Sequence, residues 1–266
     1  MVKQVLCSMA FVAGLIPFLG GSIAAQEVPK SKISDYFLVR PSPPVMSENL
    51  PKPEVATPTP PAYCNPCLFY GGDFDPSNPL ADGLWNAVSY TAFSPPVSGE
   101  VLVPFTVPAK TLWFVEGLFT NNLSTVGVID PKEANWSIST GVAPGIGGTI
   151  VKSGTAPATF TPTGRSYSGF TEYTVMVQTP AILLVPGTYW MTVVPLCTNV
   201  ADSKCTNAEY YLSDVEDTPP LNAYGPLEPN DLSYFESAFF GATYYAAASW
   251  CEGIGCDRFS AGVIGK

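Results

Sequence analysis

Tyr173-Thr174-Val175-Met176-Val177-Gln178, followed by Leu184-Val185-Pro186-Gly187-Thr188-Tyr189-Trp190-Met191-Thr192-Val193-Val194, is the stretch that decides the fold. Apolar and polar side chains alternate on both sides of a Val-Pro-Gly turn. A period of two puts one face of each run on a core and turns the other face away from it. Pro186 presets φ at the first turn position, and Gly187 accepts the conformation of the second. The two runs read as strands separated by a turn.

The same pattern extends in both directions. Trp136-Ser137-Ile138-Ser139-Thr140 alternates, so Trp113, Trp136 and Trp190 are expected in the core. Turn signals stand at Asp130-Pro131-Lys132-Glu133, across 143–148 and at Thr161-Pro162-Thr163-Gly164. Glu236 to Ser249 carries Phe239, Phe240, Tyr244 and Tyr245 and reads as one strand. Many short strands separated by turns predict an all-β fold, an antiparallel β-sandwich or jelly roll, over residues 63–266.

The residues before this domain read differently. Met1-Val2-Lys3 gives a positive start, Val5 to Leu19 is apolar, and Ser22-Ile23-Ala24-Ala25 offers small residues for cleavage. That is the form of a signal peptide over 1–25. A membrane anchor is the competing reading of the same run, but Pro17, Gly20 and Gly21 break it. Residues 26–62 read as a tether: eight of the 21 residues from Pro41 to Pro61 are proline. Such a segment is an extended, semi-rigid spacer. Its one apolar patch, Tyr36-Phe37-Leu38-Val39, has the composition of an edge strand.

An exported chain meets oxidising conditions, so paired cysteines read as disulfides. Cys7 lies inside the leader, and the other six fall into close pairs. The spacing favours Cys64-Cys67, Cys197-Cys205 and Cys251-Cys256. A zinc site from Cys64, Cys67, Cys251 and Cys256 needs free thiolates, which export disfavours. A redox-active Cys64-Asn65-Pro66-Cys67 needs a strand before it and a helix after it, and a proline-rich tract and Gly71-Gly72 stand there instead.

Beyond that stretch, further segments follow one another in a fixed order. Phe105-Thr106-Val107-Pro108-Ala109-Lys110-Thr111-Leu112-Trp113 comes first, then Trp136-Ser137-Ile138 and the Pro-Gly loop at 143–148. The opening stretch comes next, and Phe259-Ser260-Ala261-Gly262-Val263-Ile264 closes the series. In that order they resemble a jelly-roll-like β-sandwich module of secreted bacterial proteins. The resemblance covers roughly residues 100 to 266 and implies an extracellular, surface or periplasmic role. Its motifs are turns and strands, so it implies no catalytic residue.

Composition limits the chemistry. The net charge is −10 with only 12 cations, so the chain is expected to avoid nucleic acid and, once the leader is removed, membranes. There is no histidine. Ser-His-Asp and Cys-His nucleophiles and histidine-ligated metals are therefore excluded. Gly145-Ile146-Gly147-Gly148 lacks the Lys-Ser/Thr of a phosphate loop and reads as a sharp turn. No cofactor is required, although oxygen ligands for calcium are present. Asp73, Asp75, Asn78 and Asp82 form one candidate site and Asp214, Glu216 and Asp217 a second. The competing reading makes them turn formers.

Two functions from different classes fit. Trp85, Tyr224 and Trp250 fall near loops or cysteines and are candidate stacking faces for sugars, which favours a non-enzymatic module binding glycans or extracellular matrix. The alternative is a carbohydrate-active hydrolase. Glycosidases need two carboxylates, for which Glu116, Glu133, Glu172, Glu209 and Glu236 are the candidates.

Overall fold

The structure is a computed structural model that describes residues 61–77, 83–90, 97–125, 132–196, 209–215, 220–227, 232–247 and 258–266. The leader, nearly all of the tether, Cys197, Cys205, Cys251, Cys256, Trp250, Asn78, Asp82, Glu216 and Asp217 lie outside the described residues.

Thirteen strands account for most of the described chain, and no α-helix occurs among them. They are β1 (Cys67–Tyr70), β2 (Gly83–Trp85), β3 (Ala87–Tyr90), β4 (Val97–Val107), β5 (Trp113–Thr125), β6 (Glu133–Thr140) and β7 (Thr149–Tyr167). They continue with β8 (Phe170–Leu184), β9 (Gly187–Leu196), β10 (Tyr210–Ser213), β11 (Tyr234–Ser237), β12 (Ala242–Ala246) and β13 (Ala261–Gly265). The turn expected at Val185-Pro186-Gly187 is the β8–β9 connection, and the two strands it joins pair elsewhere: β8 with β5 and β7, and β9 with β4 and β6.

The sheet runs β1-β13-β5-β8-β7-β6-β9-β3-β4-β11-β12 and is antiparallel apart from one bridge, Val88 to Leu196. Two strands make it curl. β7 pairs with β6 through Pro157 and with β8 from Ala158 onward. The β2–β3 segment pairs with β10 on one side of Asn86 and with β4 and β9 on the other. Since β10 also pairs with β5, the ladder leads back to its own start.

Alternation builds the interior. Val101, Val103, Phe105 and Val107 of β4 meet Trp136 and Ile138 of β6, Val115 and Leu118 of β5, and Met191 and Val193 of β9. Phe105 lies parallel to Trp113 at 6.0 Å and stacks on Tyr189 at 5.7 Å. Each such aromatic pair contributes about 0.5–1.5 kcal/mol beyond its buried area. Trp190 is buried on the opposite face of β9, with Leu102, Val142 and Tyr234.

Two local readings of the sequence change. Thr161–Gly164 is a bulge inside β7: the register with β8 slips between Pro162 and Ser166, and Gly164 takes φ of 89°. Two extra residues are absorbed there without ending the strand, and the chain reverses later, at Ser168-Gly169. Residues 236–249 do not form one strand: β11 and β12 pair as a hairpin with the turn at 238–241.

The ring closes on a polar contact. Asn86 is 1% exposed, and its Nδ2 donates to Val193 O at 3.0 Å and to Asn122 Oδ1 at 2.9 Å. Thr120 Oγ1 donates to the same carbonyl at 2.9 Å, and Asn86 N donates to Tyr210 O at 2.8 Å. β9 leaves β4 at Met191 and meets β3 only at Leu196, so these side chains fill the interval. Substituting Asn86→Leu strips one donor from Val193 O and the donor from Asn122 Oδ1. The expected cost is about 1–3 kcal/mol, read as a lower urea midpoint at unchanged m-value.

Candidate functional site

Two clusters of polar side chains lie on faces of the sheet away from the main core. The first sits on β1, β5, β8 and β13. Asn121 Nδ2 donates to Tyr63 OH (3.0 Å), Tyr70 OH (3.1 Å) and Ser260 Oγ (2.8 Å), and Thr174 Oγ1 donates to Asn121 Oδ1 (2.7 Å). Tyr70 OH donates to Asp73 Oδ1 at 2.6 Å. Asp73 also accepts Asn222 Nδ2 and pairs with Arg165 Nη1 at 2.9 Å, while Arg165 Nε holds the fully buried Glu172. Burial raises the Tyr70 pKa, and Tyr63 and Asp73 raise it further. Burial opposes the Arg165 charge, but Glu172 and Asp73 outweigh it and hold the guanidinium pKa above its ordinary value. Every acid here is matched by a cation or by neutral donors, so the cluster ties strands together.

That arrangement accounts for several residues singled out in the sequence. Asp73 is engaged by Tyr70, Arg165 and Asn222. Asp75 accepts Ser77 N and Oγ, as a turn former does. Asp214 is buried. Among the described residues no three His, Cys, Asp or Glu side chains converge as they would around a metal ion. Cys64 and Cys67 form a disulfide, S–S 2.07 Å, so neither offers a thiolate to zinc. Tyr63 beside it packs edge-on to Phe119 at 5.2 Å. Tyr224 is 40% exposed and exchanges both backbone hydrogen bonds with Tyr70, which brings it beside Asp73. Trp85 is 3% exposed and meets Tyr211 edge-on at 5.5 Å in the core, which leaves it no face for a ligand.

The second cluster has no such balance. Glu236 on β11 stands directly opposite Glu100 on β4 in the antiparallel register. Directly opposed residues have Cβ atoms about 4.5–5.5 Å apart, and like charges there repel. Thr192 hydrogen-bonds the Glu100 carboxylate, and Ser137 Oγ lies 3.0 Å from Thr192 Oγ1. With the Thr192 proton committed to Glu100, Ser137 is the donor of that second bond. Burial, then Glu236, push Glu100 up to about 7, and burial raises Glu236 as well. Tyr244 on β12 is raised by burial, then by Glu236 and Glu100, so the three groups lie within electrostatic reach of one another.

The surroundings of Tyr244 are shaped for it. It takes φ of 45°, rare for an aromatic residue. The loop at 143–148 folds against it: Gly145 N donates to Tyr244 O at 3.2 Å. A Cβ on Gly147 would lie 2.4 Å from Tyr244 Cζ and OH, so only glycine lets this loop reach the ring. Leu102, Val142, Trp190 and Tyr234 form the apolar floor, with Tyr244 packed on it. Strained backbone and perturbed carboxylates both concentrate at functional sites.

Of the five glutamates marked in the sequence, Glu236 is the one placed opposite another carboxylate. Glu116 pairs with Lys266, Glu172 with Arg165, and Glu209 accepts the Tyr211 hydroxyl; Glu133 opens β6 opposite Leu196. Glu100 was missed. Its position in the alternating run Gly99-Glu100-Val101-Leu102-Val103 puts it on the non-core face of β4, which was readable. Its partner was not, because the β4–β11 register joins residues far apart in the chain.

Comparison with protein-family models, curated proteins and solved structures found no match. Among the described residues no helix is long and apolar enough to cross a membrane.

The two clusters differ in what substitution should do. Arg165→Met leaves the buried Glu172 uncompensated and is expected to cost about 3–5 kcal/mol in urea unfolding. Adding Glu172→Gln should recover part of that loss in a double-mutant cycle.

Proposed function

We propose that this chain is a secreted, non-enzymatic binding module, a β-sandwich of jelly-roll type, that holds a polyhydroxylated glycan at Glu100, Glu236 and Tyr244. The observation that carries the reading is the pair of register-matched carboxylates beside a tyrosine ring. Carboxylates accept hydrogen bonds from neighbouring sugar hydroxyls, and a tyrosine face covers the apolar C–H face of the ring. Export is supported by the leader-like N-terminus and fits the Cys64–Cys67 disulfide. The ligand class expected from the sequence is retained, with a different set of residues as its site.

A second reading is favoured by one observation. Burial and Glu236 push Glu100 up to about 7, where a carboxyl group serves as a general acid at neutral pH. Directly opposed strand positions hold Cβ atoms about 4.5–5.5 Å apart, which lets flexible glutamate side chains reach the roughly 5–5.5 Å carboxyl separation of retaining glycosidases. On this reading Glu100 donates the proton to the leaving oxygen and Glu236 is the nucleophile.

Glycan-array binding followed by calorimetry tests the first reading, with calcium and with chelator. Glu236→Gln and Tyr244→Ala should each weaken the best-bound glycan tenfold or more, while Tyr224→Ala leaves it unchanged. Absence of binding to any glycan in either condition contradicts the reading. The same preparations incubated with nitrophenyl glycosides decide the second reading: turnover abolished by Glu100→Gln supports it, and no turnover retires it.

A further inference from the structure

The β11–β12 hairpin carries Glu236 and Tyr244, and it lies at the end of the curled sheet. Backbone pairing with β4 holds it through Tyr234–Leu102, Phe235–Val101 and Glu236–Glu100. Phe235 and Ala242 anchor its inner face in the core. On the outer face Tyr234 packs with Leu102 in the apolar floor, and the carboxylate pair stands beside that contact. Two like charges directly opposed across a ladder work against the pairing that brings them together.

No cation relieves that opposition among the described residues. β3, β4, β6, β9, β11, β12 and the loop at 142–148 contain no lysine or arginine. The groups that face the pair are Thr192 from β9, hydrogen-bonded to Ser137 of β6, and Tyr244 from β12. The remaining titratable groups on these strands are Tyr90, Tyr189, Tyr234, Tyr245 and Glu133. Glu133 lies at the far end of β6, opposite Leu196, and tyrosines stay neutral between pH 5 and 8. The Asp73–Arg165–Glu172 cluster shows the contrast, since there each buried acid has its cation or donors.

We propose that the β11–β12 hairpin is a pH-released arm: a proton held by the Glu100–Glu236 pair keeps it docked on β4, and ionisation of both carboxylates loosens it. The direction follows from proton linkage. The docked state holds Glu100 near 7, whereas with the arm open Glu100, still on β4, loses Glu236 and the arm's cover and returns toward its ordinary value of about 4.5. The docked state therefore binds more protons between those values, its advantage is complete below about 4.5, and it is lost as pH rises through about 7. Each unit of that difference is tenfold in the opening equilibrium. From pH 5 to pH 8, Glu100 alone should raise the opening constant of the arm by roughly fiftyfold.

Because Glu236 and Tyr244 ride on the arm, the ligand surface would be assembled most completely on the acid side. The arm itself rests on the register and the carboxylates, so it stands or falls independently of the glycan reading. Hydrogen exchange read by mass spectrometry tests it on the whole exported protein, corrected for the intrinsic pH dependence of exchange. Protection of residues 234–246, relative to 118–123 of β5, should fall by roughly fiftyfold between pH 5 and pH 8. Glu100→Gln should remove most of that dependence, and Glu236→Gln, which leaves Glu100 still buried, should reduce it. If the two segments change in parallel in the unsubstituted protein, the proposal is overturned. Retention of the full dependence in Glu100→Gln overturns it equally. A glycan that fails to bind leaves both outcomes readable.

Discussion

The carbonyl of Val193 is the point on which the curled sheet depends. Where β9 parts from β4, that oxygen loses a ladder partner, and Asn86 and Thr120 supply two donors in its place. Asn86 reaches β5 through Asn122 and β10 through its own backbone, so one buried amide joins the beginning of the ring to its end. A strand has period two, which sets the consequence one residue away. With Val193 fixed inward, Thr192 is fixed outward, where it meets Glu100. Closure of the core and placement of the carboxylate are two faces of the same strand.

The same fold treats buried acids in two ways. Glu172 is fully buried yet has Arg165 and Thr163 against one oxygen, and Asp73 shares the guanidinium. Removing a partner there exposes a large desolvation cost, which is the behaviour of a structural tie. Glu100 and Glu236 are less buried; Thr192 hydrogen-bonds Glu100, and each carboxylate has the other opposite it in the register. Their shifted protonation is the kind of tension that structure alone does not require, and it occurs beside a tyrosine in a rare backbone conformation. The proposed function is placed at the second cluster for that reason.

The strands were legible because alternation is local. Tyr173–Gln178 and Trp190–Val194 lie within β8 and β9, and Trp113, Trp136 and Trp190 are buried as their spacing implies. The Cys64–Cys67 disulfide was legible from spacing for the same reason. Features set by long-range pairing were not. Gly164 has the chemistry of a turn, but pairing of β7 with β8 on both sides converts it to a bulge. Trp85 resembles a loop aromatic until β10 pairs with β2 and buries it against Tyr211. Glu236 was marked as one of five equivalent acids, and only the β4–β11 register singles it out. Sequence separation hides that register, because nothing near Glu236 in the chain specifies Glu100.

The central claim is that two carboxylates from distant parts of the chain share one half-buried position, with no lysine or arginine on the described strands around it. Carbon-13 NMR of the glutamate side-chain carboxyls, titrated from pH 3 to pH 9, measures it directly. Glu100 should titrate near 7 and move down when Glu236 is replaced by glutamine. A Glu100 midpoint in the ordinary carboxylate range, unchanged by Glu236→Gln, would contradict it.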